Sequence, residues 1–300
     1  FWLKPLACSR CRNGKARCLP KVMWLANLFG CRDENPFCTK VPSCNGNVIL
    51  PWDQPDEDDE TDVDDPNLEW KDLTFLSGGA RYTGQWSGNT PHGDGCIERI
   101  DGSWYEGKFR NGKAHGAGRF TNAKGEVYEG QWAKDRAHGE GVYRKADGSV
   151  YDGQWVHDQK QGLGSEKWAD GTIYKGSYVD GKKDGSGQYW SPENVSYTGQ
   201  FKADIMHGQG TYTFSDGRKY VGDWRNGIMH GRGEMFWPSG SKYTGSYVNG
   251  ARSGEGVFSH AEGDVYRGQF DQGARHGRGV LVQADGVVVR GQWAEGTRVA

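Results

Sequence analysis

Residues 220–233 are Tyr-Val-Gly-Asp-Trp-Arg-Asn-Gly-Ile-Met-His-Gly-Arg-Gly, and this stretch decides the fold because the chain repeats its pattern every 23 residues. A glycine follows the leading tyrosine by two positions, and an aromatic residue follows it by four. Self-similarity at a period of about 20 to 50 residues is typical of arrays in which each unit buries its apolar face on its neighbours. The leading position is occupied, without insertion, by Tyr82, Tyr105, Tyr128, Tyr151, Tyr174, Tyr197, Tyr220, Tyr243, Tyr266 and Val289. The sequence therefore predicts nine full units and a truncated tenth.

Each unit has the pattern of a β-hairpin. In the second unit, residues 105–109 alternate aromatic or glycine with polar residues, which is the period of a strand with one apolar face. Residues 116–120 repeat this alternation after a turn rich in Asn and Gly. Glycine at the inward positions leaves room for aromatic rings of adjacent strands. We therefore expect an all-β array whose core consists of these rings.

These units resemble the MORN repeat, whose pattern is roughly Tyr-x-Gly-x-Trp-x-x-Gly-x-x-His-Gly-x-Gly, and the resemblance covers about residues 82–300. It implies an elongated, twisted, single-layer sheet of about nine to ten successive 23-residue hairpins. In some MORN proteins the array precedes a kinase or methyltransferase domain, whereas this array runs to Ala300. The chain departs from the family pattern at Gln161, Asp184 and Ser253 (family His), at Glu166 (second-strand aromatic) and at Asn194 (turn Gly).

The recurring histidines are interpreted as turn residues rather than as catalytic or metal ligands. Equivalent positions in successive hairpins would lie about 10 Å apart, two strand spacings, whereas zinc ligands lie about 2.1 Å from one ion. The sequence has no Gly-x-Ser-x-Gly, His-Glu-x-x-His or phosphate-loop motif. The positions concerned are His92, His115, His138, His207, His230 and His276. We predict no catalytic residue, no enzymatic activity and no small-molecule substrate.

Net charge and hydropathy argue against two kinds of function: general attraction to nucleic acid or anionic membrane, and crossing a membrane by a helix. The 37 basic and 39 acidic residues give a net charge of -2, so no overall basic field attracts nucleic acid or anionic membrane. No run approaches the roughly 18 apolar residues of a transmembrane helix. The sequence begins at Phe1 rather than Met, which favours an organelle, plastid or mitochondrion, after removal of a targeting segment over a cytoskeletal or ciliary location.

One repeat position has unusual aromatic residues. Seventeen residues after the leading tyrosine most units have a polar residue, but three units have Trp168, Phe214 and Trp237. By strand parity these rings share a face with second-strand aromatics such as Tyr212. They are interpreted either as additional covering for a thin core or as anchors for a partner, because Trp is enriched in interface hot spots. Trp104 and Trp190 have the opposite parity and are secondary candidates.

The first 50 residues differ in kind and form a Cys-rich, basic module of irregular structure. Residues 8–18 look like the first half of the fungal binuclear zinc cluster, but the later spacing departs from that motif. A mononuclear metal site, a disulfide set with its 15 pairings and unpaired thiols all stay open, so zinc is one candidate cofactor. The residues concerned are Cys8, Cys11, Cys18, Cys31, Cys38 and Cys44.

Residues 51–81 are predicted to be an acidic, Pro-containing linker between this module and the array at residues 82–300. Residues 53–72 contain eleven acidic residues and one lysine, a composition typical of a solvated segment. The alternative is that the segment binds the basic Cys-rich module or a basic surface of a partner.

Together these patterns predict a non-enzymatic scaffold or accessory subunit that binds protein subunits of a larger, membrane-associated or soluble, complex through its sheet and N-terminal extension. The alternatives are a tether that binds acidic phospholipids at a membrane surface and a zinc-dependent nucleic-acid binder that uses the Cys-rich module. Nucleic acid is disfavoured because the basic field it requires is missing.

Overall fold

A computed structural model describes residues 67–300 of the chain. These residues form one antiparallel sheet of 21 strands without a helix, and each strand pairs with the strand before it and the strand after it along the chain. The strands are β1 Glu69–Phe75, β2 Arg81–Ser87, β3 Thr90–Glu98, β4 Trp104–Arg110, β5 Lys113–Thr121, β6 Val127–Ala133, β7 Arg136–Arg144, β8 Val150–Val156, β9 Gln159–Lys167, β10 Ile173–Val179, β11 Lys182–Trp190, β12 Ser196–Lys202, β13 Ile205–Thr213, β14 Lys219–Arg225, β15 Ile228–Phe236, β16 Lys242–Val248, β17 Ala251–Ser259, β18 Val265–Asp271, β19 Ala274–Val282, β20 Val288–Ala294 and β21 Thr297–Arg298. The predicted single-layer array of hairpins is confirmed.

Two kinds of connection alternate along the chain. Within a hairpin, two residues join the strands, and from the β4–β5 turn onward both have positive φ, as do Asn111 at 50° and Gly112 at 77°. Such turns match the right-handed twist of the strands they join. Between hairpins, a five-residue loop such as 122–126 is closed by hydrogen bonds from the Asn122 amide to the Glu126 carbonyl and from the Gly125 amide to the Asn122 carbonyl, both 3.0 Å. The five-residue loops therefore all lie along one edge of the sheet, which we call the long-loop edge.

The core is a ladder of aromatic rings on one face. The Tyr105 ring meets Phe109 of its own unit at 5.1 Å and Trp132 of the next unit at 5.1 Å, in both cases edge to face. Tyr105 also donates its hydroxyl proton to the Lys108 carbonyl at 2.8 Å, so the buried oxygen is satisfied. Equivalent contacts repeat along the array, and the leading tyrosines from Tyr82 to Tyr266 are almost completely buried. This confirms that the rings form the core.

A bulge in the second strand of the hairpin sets the register. Between the pairs Gly107↔Gly118 and Phe109↔Ala114, β4 has one residue and β5 has three. His115 lies in this bulge, followed by Gly116 at φ 65°. The second strand of the hairpin needs two more residues than the first to bring the glycine pair into register, and the histidine belongs to this part of the strand. The prediction that the recurring histidines are turn residues is therefore wrong.

The sheet also begins earlier than expected. Residues 51–81 were predicted to be a linker, but Glu69–Phe75 forms β1 and pairs with β2. The amino group of Lys71 lies 4.6 Å from the ring centre of Trp86, and Leu76 packs against the first aromatic cluster. Strand β1 thus pairs with an edge of the first repeat that would otherwise present unpaired backbone groups.

Candidate functional site

The sheet has two chemically different faces. Alternate residues place Tyr220, Trp224 and Met235 on what we call the aromatic face, where they are buried. The intervening residues, such as Val221 and Arg232, lie on the opposite surface, which we call the polar face. Within residues 67–300 no second layer of secondary structure covers either face. Binding determinants can therefore lie on both.

The three aromatic residues predicted as partner anchors lie along the long-loop edge. Trp168, Phe214 and Trp237 are each the first residue of the loop that follows β9, β13 or β15. All three rings are half-buried and pack against the aromatic core. The Phe214 ring lies 4.6 Å from Tyr212 and the Trp237 ring 5.3 Å from Phe258, between ring centres. The rings therefore share the aromatic face, as their parity indicated, and each keeps part of its surface in solvent.

Cations lie over two of these rings. The Lys183 amino group is 4.8 Å from the ring centre of Trp168, and the Arg218 guanidinium is 4.9 Å from that of Phe214. Burial lowers the pKa of Lys183, although Asp204 and Glu166 act in the opposite direction. Cation–π contacts of this kind hold the rings in place, so the edge presents ordered aromatic surface.

The two secondary candidates lie on the polar face and far from each other. Trp104 in β4 is opposite Glu98 and Thr121, whereas Trp190 in β11 is opposite Ile173 and is 37% exposed. Seven strand spacings, about 34 Å, separate β4 from β11. Both tryptophans adjoin five-residue loops, but they lie on the face opposite to Trp168, Phe214 and Trp237, and the structure does not bring them together.

One buried polar cluster interrupts the aromatic core. Glu166 accepts hydrogen bonds from the Lys160 amino group at 2.6 Å and from the Tyr178 hydroxyl at 3.0 Å, and Lys160 lies 4.6 Å from the ring centre of Tyr151. Burial and the Glu166 carboxylate raise the pKa of Tyr178 far above its usual range. Because its charges are paired and its hydroxyl is bonded, this cluster fills the core where Glu166 replaces an aromatic residue.

Sequence reasoning missed a groove on the polar face. It runs across strands β13 to β20 and has a volume of about 1040 Å³. The glycine pairs, such as Gly233 with Gly245, form its floor, and the residues on either side of them form its walls. The wall residues include Arg232, Arg267, Arg278 and Arg290, and we call this feature the arginine groove. The signal that could have found it is the polar parity of these four positions, three of which lie in the successive strands β18, β19 and β20.

The cysteine prediction lies outside the described residues, because the six N-terminal cysteines precede residue 67. Among residues 67–300, no three His, Cys, Asp or Glu side chains are placed to hold a metal ion. The same part of the chain has no helix long and apolar enough to cross a membrane.

Comparison with solved structures finds folds with low sequence identity. The TCP10 domain of Danio rerio CPAP, in complex with a peptide of Danio rerio STIL, is 12% identical over 75% of this chain and 99% of that chain, with a TM-score of 0.39. The SAS-4 (dCPAP) TCP domain of Drosophila melanogaster, in complex with a proline-rich motif of Ana2, is 10% identical over 60% and 85%, with a TM-score of 0.27. Virginiamycin B lyase from Staphylococcus aureus is 10% identical over 74% and 83%, with a TM-score of 0.14. Similarities at these TM-scores support no conclusion about function.

Among curated proteins, the sequence comparison finds no significant match. Comparison with protein families does find one, and it coincides with the hairpins described above. The MORN repeat matches nine consecutive segments, residues 82–104, 105–127, 128–150, 151–173, 174–194, 197–217, 220–242, 243–265 and 266–288. Since these segments make up more than half of the chain and each coincides with one hairpin of the sheet, the chain belongs to the MORN repeat family.

Proposed function

We propose that this chain is a non-enzymatic scaffold or accessory subunit that holds other proteins in a larger assembly. The observation that supports this most directly is the uncovered long-loop edge, where Trp168, Phe214 and Trp237 keep half-exposed rings on the aromatic face. A partner segment could lie across the strands there and cover the rings. The N-terminal extension is proposed as a second attachment point.

The spacing of the rings suits an extended segment. Trp168 and Phe214 are four strands apart, and Phe214 and Trp237 are two strands apart, so the three rings span about 30 Å. About nine residues of an extended chain cover this length at about 3.3 Å per residue. Aromatic anchors in a row are a recurring way of binding such segments.

The distribution of titratable residues also favours binding over catalysis. The recurring histidines lie at or beside equivalent bulges in separate repeats, so the fold does not gather them around one pocket. The buried pair of Lys160 and Glu166 is satisfied by its own contacts. Enzyme sites usually bring several such groups together around a concave pocket.

The test begins with the native protein, whose neighbours are cross-linked, purified and identified by mass spectrometry. Binding of an identified partner is then measured with the full chain and with a Trp237→Ala variant. We expect at least about a 30-fold loss of affinity, equivalent to about 2 kcal/mol, if Trp237 is an anchor. Trp190→Ala, which removes an equally large ring from the polar face, is the matched control and should retain affinity.

Because Trp237 also contacts Phe258, the thermal unfolding of each variant is measured in parallel. A Trp237→Ala chain that melts many degrees lower but binds the partner normally would show that the ring only covers the core. A folded triple variant, Trp168→Ala with Phe214→Ala and Trp237→Ala, that keeps full affinity would contradict the proposed site.

The alternative of acidic-phospholipid binding is favoured by one feature, the four arginines of the arginine groove. Flotation with phosphatidylserine vesicles tests it, and co-migration that disappears when these arginines are replaced by glutamine would support it over the protein scaffold. The zinc-dependent nucleic-acid alternative requires both bound zinc and DNA affinity that falls with salt.

A further inference from the structure

The arginine groove has an excess of positive charge, since four arginines and two carboxylates line it, and one of these carboxylates, Glu234, pairs with Lys242 at 2.9 Å. Arg267 and Arg290 lie two strands apart on one wall, and Arg278 lies between them on the other wall. Together with Arg232, these side chains are exposed and form no ion pair within residues 67–300. Unpaired guanidinium groups in a concave surface attract carboxylates, with which they form two parallel hydrogen bonds.

The groove walls also have apolar surface between the arginines. Arg267 is opposite Val257 and Val280 in the strands on either side, and Arg290 is also opposite Val280. Both valines are part of the groove lining. Because the charged and apolar residues alternate from strand to strand, the groove fits an extended acidic segment better than a single small anion.

The same face is different in the N-terminal half of the array. There the equivalent positions are mainly acidic: Asp94, Glu106, Glu129, Glu140 and Asp152. The basic residues among them are compensated, since Lys108 pairs with Asp94 at 3.6 Å and Arg119 with Glu129 at 3.9 Å. The polar face is therefore acidic towards β1 and basic towards β20.

The chain also has an acidic segment whose charge is complementary to the groove. In the sequence this segment precedes β1, whereas the arginines lie towards β20. Residues 53–65 contain nine carboxylates and no basic residue. They shortly precede β1 in the sequence, and β1 lies at the acidic end of the polar face. The arginines begin at β15, 14 strand spacings from β1, or about 67 Å along the sheet. The sixteen residues from residue 53 to the start of β1 reach at most about 55 Å. A second copy of the chain can deliver the segment where its own copy cannot.

We propose that residues 53–65 of one copy bind in the arginine groove of a second copy. Their carboxylates pair with Arg267, Arg278 and Arg290, and the segment lies across the strands along the glycine floor. The six spacings from β14 to β20 measure about 29 Å, which 13 extended residues at about 3.3 Å each can cover. This inference does not depend on the proposed function, because it concerns the polar face and not the aromatic rings of the long-loop edge.

The direct test measures binding of a fluorescent peptide of residues 51–66 to the full chain. The receiving chain has the acidic residues of its own residues 53–65 replaced by Asn and Gln, so that it does not compete with the peptide. We expect binding that weakens as salt rises, and at least a tenfold loss of affinity in a receiving chain that also has Arg267→Gln, Arg278→Gln and Arg290→Gln. The matched control, Lys108→Gln with Arg119→Gln, removes positive charge from the other half of the same face and should bind the peptide normally.

Sedimentation of the unmodified chain provides the second readout. We expect association that increases with protein concentration, and its loss both in the arginine variant and in the chain with the neutralised segment. Circular dichroism confirms that the variants are folded. The proposal would be overturned if the arginine variant bound the peptide as tightly as the receiving chain that keeps its arginines. It would also be overturned if the unmodified chain sedimented as a monomer at every concentration. Arginine-dependent binding of phosphatidylserine vesicles without binding of the peptide would overturn it too and would assign the groove to a lipid surface.

Discussion

The leading tyrosine links three neighbouring parts of the sheet through one side chain. The Tyr174 ring contacts Tyr178 in its own strand and Phe201 in the next hairpin, both at 5.3 Å between ring centres. Its hydroxyl donates to the Ser177 carbonyl at 3.1 Å. The ring lies over Gly187 of the paired strand, so glycine is required there for space rather than for a positive φ.

A Gly187→Ala substitution tests this requirement. The added Cβ would lie about 2.5 Å from the Tyr174 hydroxyl oxygen and 2.6 Å from a ring carbon, so the buried ring has to move. Overpacking of this kind costs about 1–3 kcal/mol, and we expect a lower denaturation midpoint in urea. Gln188→Ala, one residue along the same strand and exposed, is the control and should change the midpoint little. Equal effects of the two substitutions would contradict the packing argument.

The buried tyrosines also predict alkaline sensitivity. Burial raises the pKa of Tyr197 and of Tyr243 to about 12, and it raises the pKa of the other leading tyrosines as well. Above the unfolded value of about 10, the folded chain keeps protons that the unfolded chain has lost, so the free energy of unfolding falls as pH rises. The stabilisation is complete below about pH 10 and is lost as pH rises towards 12.

Urea denaturation at a series of pH values, with tyrosinate followed by ultraviolet absorbance, measures this effect. We expect a midpoint that is constant near neutral pH and falls steeply in the alkaline range, together with cooperative tyrosine ionisation. A Tyr243→Phe chain should lose less stability over the same range. A midpoint that does not change up to pH 12 would show that the rings do not titrate with unfolding.

At the scale of the hairpin, the two-residue turns from β4–β5 onward restrict the sequence, because both of their residues adopt positive φ. Asn226 and Gly227 satisfy this at little cost, at 53° and 79°. Ala203 and Asp204 adopt the same conformation at 48° and 72°. The Asp204 carboxylate accepts the Lys183 amide at 2.9 Å, which gives Asp204 a role that Ala203 does not have.

The turn at Ala203 is therefore a place where the hairpin can be stabilised. Ala203→Asn should raise the free energy of unfolding by about 0.5–1 kcal/mol, because Asn tolerates the left-handed region better than Ala. Ala203→Val should lower it, since a β-branched residue is strained there. Thermal unfolding of the two variants should shift in opposite directions, and shifts of the same sign would contradict the turn geometry.

At the scale of the whole molecule, each strand contacts mainly its two neighbours in the chain. The aromatic ladder follows the same rule, with each leading tyrosine touching rings of its own and the next unit. Stability in such arrays is approximately a sum of unit and nearest-neighbour contributions. The array should therefore tolerate the loss of a whole unit but not of half of one.

Deletion of residues 174–196, one full period, should leave a folded sheet of lower stability. Deletion of residues 180–195, which removes β11 with its turns, joins β10 directly to β12 and breaks the antiparallel order of strands. We expect the first variant to unfold cooperatively and to scatter as a shorter elongated particle, and the second to lose β-structure around the junction. Equal stability of the two variants would contradict nearest-neighbour coupling.

Much of the fold follows from particular residues. The tyrosine period fixed the number of hairpins, the alternation in residues 105–109 fixed the buried face, and the turn residues separated the strands. The parity of Phe214 correctly placed it beside Tyr212. The start of the sheet at β1 was not predicted, because β1 is a single strand that precedes the first repeat and does not follow the repeat pattern. The sequence pattern suggested that the histidines lie in turns. It did not reveal the bulge, because the same two additional residues occur in every hairpin and leave the 23-residue period unchanged.

The sequence by itself determined the repeat, the hairpins and the aromatic core, because every pairing in this sheet joins segments that are adjacent in the chain. Only the tertiary structure decided which surface residues become neighbours. Arg267, Arg278 and Arg290 lie more than ten residues apart and belong to three strands, and they line one groove because the register after each bulge aligns the glycine pairs and aims these side chains at the polar face. The physical reason is that a one-residue change in register would turn a strand's side chains to the opposite face, and the bulge that sets this register is visible only in the paired strands.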